Sequence, residues 1–246
     1  MWTDEQIKLH KEASRDLSQI LEDTIIFIKS NESVTEYAVS EFILDEFKRF
    51  DLRTDKHSPI VAFRENTAVV HYYPSKISSQ KLTENSLILI DLWAGKKLKG
   101  SPFADITWMA YLGENIPEKH QKIFGSVARA RNLAIKFIGD QVSKRRLPHE
   151  NEIDAVVSNY FKEIEMFDQV SHYIGHDIGT SSPHGKYGHI LGKNKRPIRE
   201  RQGYTIEPGL YFKNDFGVRT EIDFYVSDNK IIVTTPVQKE IELITN

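Results

Sequence analysis

With 246 residues, 39% hydrophobic and 28% charged, the chain is long enough to bury a sizeable core and falls in the range of one large domain or two small ones. Thirty-three basic against thirty-five acidic residues leave a formal net charge of -2, so there is no global electrostatic footprint for nucleic acid. The absence of cysteine excludes disulfides, thiolate zinc sites and a cysteine nucleophile together, and any metal must be held by nitrogen and oxygen.

The longest apolar runs, Ile25 to Ile28 and Leu87 to Ile90, are far too short to span a membrane, and Met1-Trp2-Thr3-Asp4-Glu5 is not a signal peptide. A cytoplasmic protein without nucleic-acid or membrane partners is expected. The basic groups Lys144 to Arg146 and Lys193 to Arg201 read as solvated loops.

In chain order, Thr3 with Gln6 forms a capping box for a helix to about Ser30, with Ile7, Leu17, Ile20, Leu21, Ile25 and Ile28 at helical spacing. Asn31 to Ser33 break it. Ser33 with Glu36 reads as a second capping box, starting a helix that ends near Asp51. The period then changes: 58 to 72, 86 to 93 and 103 to 112 are rich in Val, Ile, Leu and aromatics and read as strands. A long helix follows Pro117, another covers about Glu150 to Glu165, and short strands and turns run from Ser171 to Ile244. Helices then strands, twice over, predict an α+β class with two halves of similar plan. No linker interrupts them, so residues 1–246 are expected to form one domain.

Two acids break the strand pattern. Asp91 ends Leu-Ile-Leu-Ile-Asp, and Asp105 sits between Ala104 and Ile106, 14 positions later, with Gly95, Gly100 and Pro102 between. Two strand arms joined by a turn bring both carboxylates to one place. Glu207 and Glu221 repeat the device at the same spacing, with Lys213 to Gly217 as the turn. Like charges across a hairpin repel by up to about 1 kcal/mol when exposed and by more when buried, so four converging carboxylates require a cation. The nitrogen ligand is sought in Ser171 to Gly185, where His172, His176 and His184 place three of the nine histidines within thirteen residues. One can coordinate while another stays free for proton work.

These residues resemble the pita-bread metallopeptidases, which include methionine aminopeptidase, Xaa-Pro aminopeptidase and prolidase. The resemblance runs from about residue 55 to 240 and rests on five ordered motifs: His71 in Ala-Val-Val-His-Tyr-Tyr-Pro, Asp91 and Asp105 in Leu-Ile-Leu-Ile-Asp and Ala-Asp-Ile-Thr, His176 in Gly-His-Asp-Ile-Gly followed by His184, Glu207 in Thr-Ile-Glu-Pro-Gly-Leu-Tyr, and Glu221 in Gly-Val-Arg-Thr-Glu. It implies a pita-bread fold, two pseudo-symmetric halves of helices on a curved antiparallel sheet. It also implies two divalent metal ions, of manganese, cobalt, iron or zinc, which the donor set does not distinguish. Asp91 would chelate one ion, Asp105 and Glu221 would bridge both, and His176 and Glu207 would complete the other. A hydroxide between the metals would then attack a peptide carbonyl. Glu207 would do general-base work, and His71 and His184 would attend the oxyanion, the substrate amine or the leaving group. His172 matches a histidine found near the metals in proline-directed members, and Arg219 is a clamp on the acids.

The sequence also departs from the family. Leu92-Trp93 replaces the usual Xaa-Gly after the first aspartate, and the interval to Asp105 is about three residues longer, to be absorbed by a bulge or a longer turn. Trp108-Met109 replaces an Arg-Thr that often follows Asp-Ile-Thr. Arg219 brings the chain closer to the proline-directed members, although only about fifty helical residues precede the catalytic part. The expected substrate is a short peptide or a protein N-terminus, of Xaa-Pro type, with methionine aminopeptidase-like specificity or a non-catalytic peptide-binding module as alternatives. A homodimer is implied by family habit alone.

Overall fold

The expected capping box at the N-terminus forms in the computed structural model, which describes residues 1–31 and 33–245. Gln6 N donates to Thr3 Oγ1 at 3.2 Å and Thr3 N donates to Gln6 Oε1 at 3.0 Å. Helix α1 (Asp4–Ser30) starts there and buries Leu9, Ala13, Leu17, Ile20 and Ile28 along one stripe.

The second capping box does not form. Ser33 lies ahead of the next helix with φ 56°, and α2 (Glu36–Arg49) is capped by Thr35, whose hydroxyl accepts from Ala38 N at 3.1 Å. The acid sits two places too early to reach back to its own cap, so it is released for other bonding. The strand expected over 58 to 72 is also shorter. After β1 (Leu52–Arg53), strand β2 (Ile60–Phe63) gives way to a 3-10 turn over Arg64–Ala68 and a loop, so His71 lies on a loop.

Strands β3 (Ser86–Lys96) and β4 (Phe103–Leu112) form an unbroken antiparallel pair from Ser86 opposite Leu112 to Gly95 opposite Phe103. The extra length between Asp91 and Asp105 therefore lies in the turn and not in a bulge. Helices α3 (Glu118–Val142) and α4 (Glu150–Glu163) follow, then β5 (His176–Ile178), β6 (His184–His189), β7 (Gly203–Ile206), β8 (Gly209–Phe212), β9 (Phe216–Arg219), β10 (Ile222–Ser227), β11 (Lys230–Val233) and β12 (Glu242–Ile244).

One sheet has the order β1-β3-β4-β12, with β2 also on β3; a second has β11-β10-β7-β5-β6; β8 and β9 form a separate hairpin. Pairing is antiparallel throughout except β12 on β4.

Both faces of the β3–β4 pair are covered, which is why its sequence reads as a continuous apolar run. Ile88, Ile90, Leu92 and Ala94 join Leu17, Ile20, Ile43 and Phe47 of the first two helices in one core. Leu87, Leu89 and Trp93, with Phe103, Met109 and Tyr111, join Val127, Ala130, Ile153, Ile206 and Ile222 in the other. Strand side chains alternate in direction, so Asp91, Asp105 and Thr107 point into this second core, toward the other half of the chain. Among the described residues no helix is long and apolar enough to cross a membrane.

Candidate metal centre

Each half of the chain delivers one pair of acids. Asp91 is opposite Thr107 and Trp93 is opposite Asp105, so the two aspartates are diagonal neighbours on one sheet face. Ile206 pairs with Ile222 and Gly209 with Arg219, which sets Glu207 and Glu221 opposite each other where one ladder passes into the next. His176 enters from β5. Its neighbour Gly175 must be glycine, because a Cβ there would lie 2.2 Å from Thr205 O.

The side chains converge. One ligand atom each of Asp105, His176 and Glu221 lie within 4.8 Å of one another, and all three residues are buried. His176 Nε2 is 3.8 Å from Asp105 Oδ2 and 3.5 Å from Glu207 Oε1. His176 Nδ1 lies 3.0 Å from Asp177 O. A carbonyl can only accept, so this network assigns the ring proton to Nδ1 and leaves the Nε2 lone pair aimed at the acids. Asp91 is turned differently: its Oδ2 accepts from Arg219 Nη2. Arg219 Nε also donates to Thr107 Oγ1 at 3.2 Å, and that hydroxyl donates to Glu221 Oε2 at 2.8 Å.

Without a cation the cluster is electrostatically unbalanced. Burial, and after it Glu221 and Asp91, push Asp105 well above the ordinary carboxyl range. Burial, then Glu207 and Asp91, do the same to Glu221. Burial raises Asp91 too, with Arg219 opposing. Glu207 is pushed up to about 8, again chiefly by burial against the pull of Arg219. Burial lowers His176 to about 3, keeping the imidazole neutral. Asp105 Oδ1 is buried with no hydrogen-bond partner among the described residues. A carboxylate with one orphaned oxygen and the other 3.8 Å from a neutral imidazole nitrogen, within a group of acids, fits a divalent cation, which would convert the repulsion into coordination.

All nine residues singled out from the sequence line one cavity of about 350 Å³: His71, Asp91, Asp105, His172, His176, His184, Glu207, Arg219 and Glu221. His172 Nδ1 is 3.8 Å from Glu207 Oε2, and the His184 ring centroid is 4.2 Å from that of His176. Trp93 also lines this cavity, its Nε1 donating to Asp55 Oδ1 at 3.1 Å, so the departure after the first aspartate reshapes a wall. Trp108 does not: it lies on the opposite face, bonded to Glu242 Oε2 at 2.7 Å.

Several contributors went unread in the sequence. Tyr211 accepts from Arg219 Nη1 at 3.0 Å and lies 2.8 Å from His172 Nε2. Since its oxygen already accepts from Arg219, its proton is directed to His172. Asp223 Oδ2 accepts from Asp105 N at 2.9 Å. Its signal was available, since Asp223 follows Glu221 by two and so shares its side of the strand. Glu36, fully buried, accepts from Phe63 N at 2.7 Å, Asn66 Nδ2 at 2.9 Å, Tyr72 OH at 2.6 Å and Gln80 N at 2.7 Å. It thereby ties down both ends of the loop that carries His71, and Arg219 Nη1 holds Val70 O at 3.2 Å from the other side. No spacing rule announces a bond spanning 44 positions.

The comparisons with known proteins bear on the fold and the family. Among solved structures, an X-Pro aminopeptidase from Thermotoga maritima superposes with a TM-score of 0.84 at 21% identity, over 99% of this chain and 64% of that one. A Xaa-Pro dipeptidase from Bacillus anthracis does so with 0.84 at 25% identity, over 98% and 63%. The fold is thus the α+β pita-bread class expected from the sequence. The model of metallopeptidase family M24 matches residues 8–228, and the chain belongs to that family. An uncharacterized peptidase of Staphylococcus epidermidis is 28% identical over 209 residues, 85% of this chain. The chain spans 55% of that relative's length.

Proposed function

We propose that the chain is a metal-dependent exopeptidase that hydrolyses a peptide bond next to the N-terminus of a short peptide or protein, with Xaa-Pro substrates favoured. The observation that carries this reading is the orphaned Asp105 carboxylate oxygen inside the Asp105, His176 and Glu221 cluster. Asp105 and Glu221 would be shared between two divalent ions, Asp91 would serve one, and His176 and Glu207 the other. Such a pair, when bound, supplies an activated water and a Lewis acid for the substrate carbonyl.

The protein's own groups divide the remaining work. Glu207 stands 3.5 Å from His176 Nε2 at the edge of the cluster and, once a bound cation holds it deprotonated, is placed to take the attacking proton. Arg219, Tyr211 and His172 are linked in turn by hydrogen bonds, and His172 Nδ1 stands 3.8 Å from Glu207 Oε2. Burial, then the Arg219 charge, lowers His172 to about 3, so it borders Glu207 as a neutral ring without neutralising it. His71 and His184 border the same space and are placed to donate to the developing oxyanion or to protonate the leaving amine. Arg219 balances Asp91, so the site is not left with all its negative charge facing the substrate.

The test is a dipeptide and tripeptide panel, Xaa-Pro against Met-Xaa, assayed with manganese, cobalt, iron and zinc before and after chelation. Hydrolysis that requires metal and favours Xaa-Pro is expected. Metal binding without hydrolysis of any peptide would replace the enzyme by a peptide-binding module. A preference for Met-Xaa would place the specificity with methionine aminopeptidase.

A further inference from the structure

His71, His172, His184 and Glu207 form a partition. On one side lies the cavity with the acid cluster. On the other lies a second cleft of about 420 Å³, whose additional walls are Val170, Ser171, Tyr173 and His189. A peptide whose scissile bond is held at the partition must place the residues flanking that bond in the two lobes.

The lobes differ in charge. The first adds Asp55 and Lys56 to its walls; the second adds no formally charged side chain. A ladder of rings leads outward from the centre. Ring centroids are 4.2 Å apart for His176 and His184, 5.2 Å for His184 and His189, and 4.5 Å for His189 and Tyr173. His189 is fixed in this ladder because it pairs with His176 across β5 and β6. Asp177 pins β6 just before His189, accepting from Gly188 N at 2.7 Å, and occupies the space that a Cβ on Gly185 would need. Tyr173 is 51% exposed, so one face of its ring is open to an incoming group.

We propose that this second cleft is the subsite for one of the two residues flanking the scissile bond, and that Tyr173 and His189 make it select a flat, uncharged side chain, aromatic best of all. Stacking against the rings favours such a side chain by roughly 3- to 10-fold beyond its contact area, while a charged side chain would be desolvated there beside Glu207 alone among the described walls, an acid that the metal would engage. The inference rests on the peptidase reading and adds the chemical class of one substrate residue.

The experiment varies Phe, Leu, Ala, Lys and Asp on each side of the scissile bond in short peptides. It compares kcat/KM of the metal-loaded protein with that of Tyr173→Ala, His189→Ala and His189→Phe, and measures metal content for each. At one of the two positions, wild type should prefer Phe over Ala by about tenfold or more and disfavour Lys and Asp. Either alanine variant should reduce the Phe to Ala ratio below about threefold with metal content unchanged, and His189→Phe should restore it. Equal use of charged and aromatic residues at both positions, or a Phe preference untouched by the alanine variants, would overturn the inference while leaving the peptidase reading intact. Should wild type cleave nothing, the peptidase reading fails, and calorimetric binding of the same peptides decides the subsite by the same ratios.

Discussion

Two groups of buried carboxylates in this molecule have opposite fates. Glu36 has no cation beside it among the described residues, yet it is satisfied by two backbone amides, an asparagine and a tyrosine. Asp105 and Glu221 lie deeper in acidic company, and Asp105 keeps one oxygen with no donor at all. The first acid is completed by the chain; the second group needs something the chain does not supply. Burial of acid is therefore not by itself the mark of a metal site; missing donors count where ligand atoms also converge, as at Asp105, His176 and Glu221, since Asp223 Oδ1 lacks a donor as well.

The contrast can be broken most severely at Asp105 or Glu221. Either one changed to Ala should abolish tight binding of both ions and lower kcat/KM by on the order of 10³-fold or more, several kcal/mol of lost charge stabilisation. In the metal-free protein the same change should raise the melting temperature or leave it level, because it relieves the crowding of buried acids at the centre. Glu36→Ala should do the reverse. Stranding four donors, one buried and three partly buried, should cost about 3 kcal/mol of stability with or without metal, read by denaturant unfolding, while metal content per folded chain stays at the wild-type level. His71→Ala, downstream of that anchor, should reduce turnover by roughly 10²-fold with metal content nearly intact.

Titration sharpens the comparison by a smaller margin. In the metal-free fold the acids of the centre are raised, Glu207 to about 8, so the folded state holds more protons than the unfolded state above about pH 4.5. Metal-free stability should then fall as pH rises toward 8, by about 2 kcal/mol between pH 6 and 8. The neutral His172 and His176, each lowered to about 3, act in the other direction and cost stability as pH falls below 6.5. Cations require deprotonated ligands and reward them. The rise in melting temperature on adding manganese should accordingly be larger at pH 8 than at pH 5, and an equal rise at both would contradict the assignment.

Most of the centre was legible because strand geometry converts spacing into direction. Equal fourteen-residue intervals, glycines in the turns and an acid breaking an apolar run were enough to bring Asp91, Asp105, Glu207 and Glu221 together, while the histidine-dense stretch offered three candidates, from which the family resemblance singled out His176. The first helix was legible from its cap and stripe. What escaped depended on contacts distant in the chain. Glu36 looked like a helix cap because Ser33 stands three residues before it, and its real partners, Phe63 to Gln80, are fixed only by the packing of α2 on β2. The strand expected over 58 to 72 failed after Phe63, where Arg64 takes φ 51° and turns the chain toward the site, a conformation its composition does not announce. His189 was unread because its meaning comes from the cross-strand partner His176.

The most direct test of the central claim is anomalous diffraction from crystals grown with manganese. Two peaks should lie among Asp105, His176 and Glu221, with Asp91 and Glu207 at the outer ends. A cavity with no anomalous signal at saturating manganese, or peaks bound away from these side chains, would contradict the account.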